Sequence, residues 1–99
     1  MIRRIVKLSL KNDQIKNFER AFTESKPVIL TFSGAISVDL RQDAHDPTIL
    51  FTYSLWKDLE SLENYRNSEF FAKTWKHVKP MFKDKAQAWS VYDYFNPDL

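Results

Sequence analysis

The densest run of chemically capable side chains lies between Trp56 and His77, where two tryptophans, a tyrosine, an arginine and a histidine share one short stretch. Histidine titrates near neutrality and moves protons, arginine stays charged and holds anions, and flat aromatic side chains make walls for apolar ligands. Chemistry of other kinds finds little footing. The chain has no cysteine, which removes disulfides, thiolate metal sites and a cysteine nucleophile. A single glycine leaves no phosphate-binding or dinucleotide loop. No Gly-x-Ser-x-Gly elbow is present, and neither histidine stands in a triad context. Asp43, His45 and Asp46 fall within four residues, a pattern that reads as a solvated turn before it reads as a metal site, so no metal is expected.

Strands and helices in alternation must position the Trp56–His77 run. Ile2, Val6, Leu8 and Leu10 share one parity against Arg3, Lys7 and Ser9, which predicts a strand over Ile2–Leu10. Asn12 or Asp13 caps a helix carrying Ile15, Phe18 and Phe22 to about Glu24, with Pro27 as its stop. Gly34 precedes a second strand, Ala35–Arg41, with Ile36, Val38 and Leu40 on one face. A polar turn leads into a third strand, Ile49–Trp56, whose Ile49, Phe51, Tyr53 and Leu55 oppose Leu50 and Trp56. Asp58 caps one helix bearing Leu59, Leu62 and Tyr65. Ser68 caps the next, which carries the stripe Phe71, Trp75, Val78 and Phe82 until Pro80 bends it. Alternation resumes over Ala86–Phe95.

The order is β-α-β-β-α-β, so residues 1–99 read as a single α+β domain of ferredoxin-like type with an antiparallel four-stranded sheet. Its helices cover one sheet face, yet the third and last strands are apolar on both. A second copy packed sheet to sheet is the economical cover, predicting a homodimer with the tail Trp89–Phe95 at its interface. Net charge is +2 with both signs intermixed, which gives no reason to expect nucleic acid as a partner. No apolar run reaches membrane-spanning length and no leader pattern opens the chain, so a cytoplasmic location without membrane association is expected.

The strand-end Trp56-Lys57, the capped helix, the Tyr65-Arg66 pair and the Ser68-Glu69-Phe70-Phe71 cap together resemble the antibiotic biosynthesis monooxygenase family of dimeric α+β barrel proteins. Its haem-degrading branch matches locally, but Tyr65 and Trp75 stand where that branch has its haem-distorting tryptophan and its iron ligand, and Lys7 stands near its strand asparagine. His77 lies two residues beyond the ligand position, about 200° around a helix. The remaining resemblance is to members that oxidise a small aromatic or quinol with O2 and no cofactor. It implies Tyr65, His77 and Arg66 as catalytic residues, and Tyr53, Trp56, Phe71 and Trp75 as the wall for a small aromatic ligand. A non-catalytic ligand-binding or stress-related protein of the same fold is the alternative, with a haem-binding or haem-degrading protein of altered ligands ranked behind it. In the non-catalytic case Phe71 and Trp75 are simply core, and His77, among lysines, is simply exposed.

Overall fold

A computed structural model describes residues 1–94. Strand β1 (Ile2–Ser9) forms the middle of the sheet, because its even-numbered residues are wanted by one face and its backbone by two neighbours. It pairs antiparallel with β3 (Ile49–Trp56) from Ile2↔Trp56 to Ser9↔Ile49, and with β4 (Gln87–Tyr92) from Ile2↔Tyr92 to Lys7↔Gln87. Strand β2 (Ala35–Gln42) joins the free side of β3, giving the order β2-β3-β1-β4. This is the ferredoxin-like α+β arrangement.

Three helices pack against one face: α1 (Ile15–Ile29), α2 (Leu59–Arg66) and α3 (Glu69–Val78). The last two are separate because each has its own cap. Asp58 Oδ1 accepts from the Ser61 N–H at 2.8 Å, and Ser68 Oγ accepts from the Phe71 N–H at 3.1 Å. Pro80 falls in a 3-10 turn, Lys79–Met81, that closes the second helical segment.

The structure corrects the sequence reading in four places. Helix α1 does not stop before Pro27 but carries it inside its last turns and ends at Ile29. A proline there forfeits a backbone bond. Ile29, however, is buried against Ile2, Val38, Trp56 and Leu62, and the Leu30 N–H still reaches the Lys26 carbonyl at 3.1 Å. Neither Asn12 nor Asp13 caps α1 with its side chain; both lie in a 3-10 turn, Asn12–Gln14, that feeds the helix. In β2 the register shifts between Ala35 and Ser37, so Ile36 bulges out and is exposed while Val38 and Leu40 face the helices. The first and last strands in the chain are also shorter: β1 ends at Ser9, with Leu10 joining only an isolated bridge to Phe82, and β4 ends at Tyr92, with Phe95 outside the described residues.

Gly34 has φ +84°, and a Cβ there would overlap the side chain of Ser61 in the first turn of α2. Its carbonyl accepts from the Lys57 N–H at 2.8 Å, so this one glycine seats the start of α2 beside the end of β3.

Two buried clusters lie under the helices. One gathers Leu8, Leu10, Phe18, Leu50, Val78 and Met81; the other gathers Ile2, Ile29, Val38, Trp56 and Leu62. Among the described residues no helix covers the opposite sheet face. That face presents Ile5, Phe51, Tyr53 and Leu55, half-buried, with Trp89 and Val91 exposed. Among the described residues no helix is long and apolar enough to cross a membrane.

Candidate active site

Residues of both clusters border one cavity of about 370 Å³ between the sheet and the helices. That size falls toward the lower end of the roughly 300–1,000 Å³ usual for small-molecule sites. Strand β1 supplies Arg4 and Val6, β3 supplies Thr52, Ser54 and Trp56, and α2 supplies Tyr65 and Arg66. Phe71, Thr74 and Trp75 of α3 complete that wall, facing Phe22 and Ser25 of α1.

Tyr65 is the hub of the aromatic wall. Its ring stacks on Trp56 with centroids 5.0 Å apart, and meets Phe32 and Phe71 edge-on at 5.2 and 5.3 Å. Phe71 in turn stacks on Trp75 at 6.1 Å. The placement follows from the helix break: Ser68 Oγ donates to the Tyr65 carbonyl while accepting from α3, which fixes the last turn of α2 over the end of β3. Burial pushes the Tyr65 phenol up to about 12, so its hydroxyl remains a proton donor throughout the working pH range.

Polar groups are few and placed with purpose. Trp56 Nε1 donates to Ser54 Oγ at 2.9 Å, which lets an indole with 1% exposure sit in the core with its N–H satisfied. Arg4 donates through Nη1 to Ser90 Oγ of β4 at 2.9 Å. Arg66 donates through Nη1 to Glu63 Oε1 at 3.0 Å, one turn back on its own helix. Burial first, and the positive charge of Arg66 second, draw the pKa of Arg4 below the ordinary guanidinium value.

The cavity therefore brings together Tyr65, Arg66, Trp56, Phe71 and Trp75, and it leaves out two residues of the expected set. Tyr53 lies on the opposite sheet face, where the guanidinium groups of Arg3 and Arg41 stand 6.0 and 5.5 Å from its ring centroid. Three residues apart on one strand, Tyr53 and Trp56 must point to opposite faces. His77 is exposed on α3 and does not border the cavity; its neighbour Val78 takes the inward position. Sequence reasoning missed Arg4, although the signal was present: a cation at position 4 shares parity with Ile2, Val6 and Leu8.

No group of three or more metal-ligating side chains occurs among the described residues. In the Asp43–Asp46 turn the carboxylates serve the backbone. Asp43 Oδ2 accepts from the N–H groups of His45 and Asp46, and Asp46 Oδ1 accepts from the N–H and hydroxyl of Thr48.

The family model for antibiotic biosynthesis monooxygenases matches residues 1–77, from β1 nearly to the end of α3. The chain belongs to the antibiotic biosynthesis monooxygenase family. Solved structures agree on the fold. A candidate antibiotic biosynthesis monooxygenase from Nitrosomonas europaea superposes with a TM-score of 0.86 at 19% identity, over 96% of this chain and 100% of that one. A conserved protein from Methanosarcina mazei gives a TM-score of 0.89 at 20% identity, over 94% and 92% of the two chains. A candidate family member from Caulobacter crescentus gives 0.86 at 13% identity, over 95% and 90%. No curated protein matches the sequence. Against this family frame, the aromatic wall and the arginines at positions 4 and 66 are the features from which this chain's own chemistry has to be read.

Proposed function

We propose that this family member is a cofactor-independent monooxygenase that oxidises a small aromatic or quinol-type substrate with O2. The observation that carries the reading is the cavity itself: Phe71 and Trp75 line an open space of about 370 Å³ instead of filling it, with Tyr65 on the same wall. An electron-rich phenolate can pass an electron to O2 directly. The resulting radical pair recombines as a hydroperoxide on the ring, and loss of water leaves the quinone, one oxygen atom in the product and the other in water. The substrate supplies all the electrons, so the protein needs to bind a flat ring, exclude bulk water and manage one proton. Phe71 and Trp75 provide the flat apolar surface, and Trp56 backs Tyr65 from the core. Tyr65, held protonated by burial, donates a hydrogen bond to oxygen on the substrate, and Arg66 favours its anionic form.

Oxygen uptake by the purified protein with anthrols, naphthols and quinols, in the absence of added metal or flavin, tests this directly. Turnover should fall about tenfold or more in Tyr65→Phe and remain unchanged in His77→Ala. A folded protein that consumes no oxygen with any of these substrates would sink the reading in favour of a ligand-binding role.

The working unit in this proposal is a homodimer formed through the helix-free sheet face. That reading is supported by the contiguous Ile5, Phe51, Leu55, Trp89 and Val91, a patch that monomers rarely leave in water. Trp89→Glu should shift the protein from dimer to monomer in sedimentation velocity while the far-ultraviolet spectrum is retained. A dimer of unchanged strength would place the interface elsewhere.

A further inference from the structure

We infer that the cavity takes an aromatic acid, whose carboxylate is held by the guanidinium of Arg4 with Arg66 beside it. The inference rests on the reading of the cavity as the substrate site and adds the chemical class of what enters it.

Arg4 occupies an inward position of the central strand, flanked by Ile2 and Val6 on the same face. A cation on an apolar wall is costly unless it has a partner. Among the described residues its one side-chain bond is to a neutral hydroxyl, Ser90 Oγ, which uses one of five guanidinium N–H donors. Among the described residues no carboxylate lies within ion-pair distance of it: Asp93 pairs with Arg3, Asp39 with Lys26 and Arg41, Glu63 with Arg66, and Glu19 with Lys16. Arg66 borders the same cavity, and its charge works against that of Arg4. Glu63 already pairs with Arg66, so Arg4 is the cation of this cavity left without an acidic partner among the described residues, and an anion entering the cavity would supply one.

A guanidinium fork fits a carboxylate with two parallel hydrogen bonds, and Ser90 fixes the fork by holding one arm. A carboxylate takes no part in the oxidation, so held at Arg4 it anchors the ring and leaves the electron-donating oxygen free to reach Tyr65 and Arg66. The volume of about 370 Å³ suits a two- or three-ring acid.

Calorimetric titration of the purified protein with a naphthoate and with the naphthamide substituted at the same ring carbon separates charge from shape. The naphthoate should bind about tenfold tighter or more, as expected for a charge-assisted pair. Arg4→Gln should remove that preference while the amide still binds, and Arg4→Lys should keep part of it. If Arg4→Gln fails to fold, Arg66→Gln and Ser90→Ala carry the same comparison, each expected to shrink the preference. Equal affinity for acid and amide, or a preference that survives both Arg4→Gln and Arg66→Gln, overturns the acid anchor and leaves the cavity reading standing. Failure of both probes to bind overturns the two together.

Discussion

Trp56→Ala should destabilise the protein by about 3–5 kcal/mol, the range for truncating a large buried aromatic. Three contributions add. Trp56 is 1% exposed and belongs to the cluster with Ile2, Ile29, Val38 and Leu62, so its removal opens a hole beside the existing cavity. Its stacking on Tyr65 at 5.0 Å is lost. Ser54 Oγ loses its indole donor and retains only a long contact of 3.5 Å to the Arg4 carbonyl. Set against a total stability of about 5–15 kcal/mol for a domain of this kind, the loss is a large share. Urea titration should place the midpoint far below that of the wild type, and the melting temperature should fall by roughly 15–30 °C. Trp56→Phe, which keeps an aromatic ring and loses the N–H, should cost about 1–2 kcal/mol. A Trp56→Ala protein within about 1 kcal/mol of wild type would mean that this side chain does not carry the packing assigned to it.

The second large effect is alkaline. Tyr65 has its pKa raised by burial from 10.0 to about 12. In the unfolded chain the phenol ionises near 10, while in the folded protein it stays neutral until about 12, so the unfolded state sheds its proton first. The stabilisation is therefore fully present below pH 10 and drains away as pH rises through 12. The difference approaches about 2–3 kcal/mol at the top of that window. Urea unfolding of wild type and Tyr65→Phe at pH 8 and pH 11.5 checks this: the wild type should lose more stability between the two than the variant does. Equal losses would show that Tyr65 ionises as freely folded as unfolded.

The strands were legible because parity is a strong signal. Ile49–Trp56 matches its predicted limits, and the caps at Asp58 and Ser68 act as their residue types require. Pro27 misled because its local cost is readable in sequence while the burial of Ile29 that offsets it is a tertiary fact. The bulge at Ile36 is likewise invisible to a strict period of two. At the site, five of the seven expected residues border the cavity because they lie on the inward faces of β3, α2 and α3. Tyr53 could have been set aside from its parity alone. The cavity itself had no sequence signature, since an unfilled space depends on how three helices sit on a sheet. Arg4 was passed over because attention to apolar residues on that face hides the one charge among them.

The pairing of β1 with β4 also bears on how the molecule comes into being. Ile2 lies opposite Tyr92, so the central strand acquires its second neighbour only after nearly all of the intervening chain has been made. Loop closure over such a span must be met before those contacts repay it. During synthesis at about 5–20 residues per second, β1 waits several seconds with one edge unpaired. Arg4, on that strand, cannot meet Ser90 until the same late moment, so the order of assembly makes the Arg4 end of the cavity one of the last features to appear.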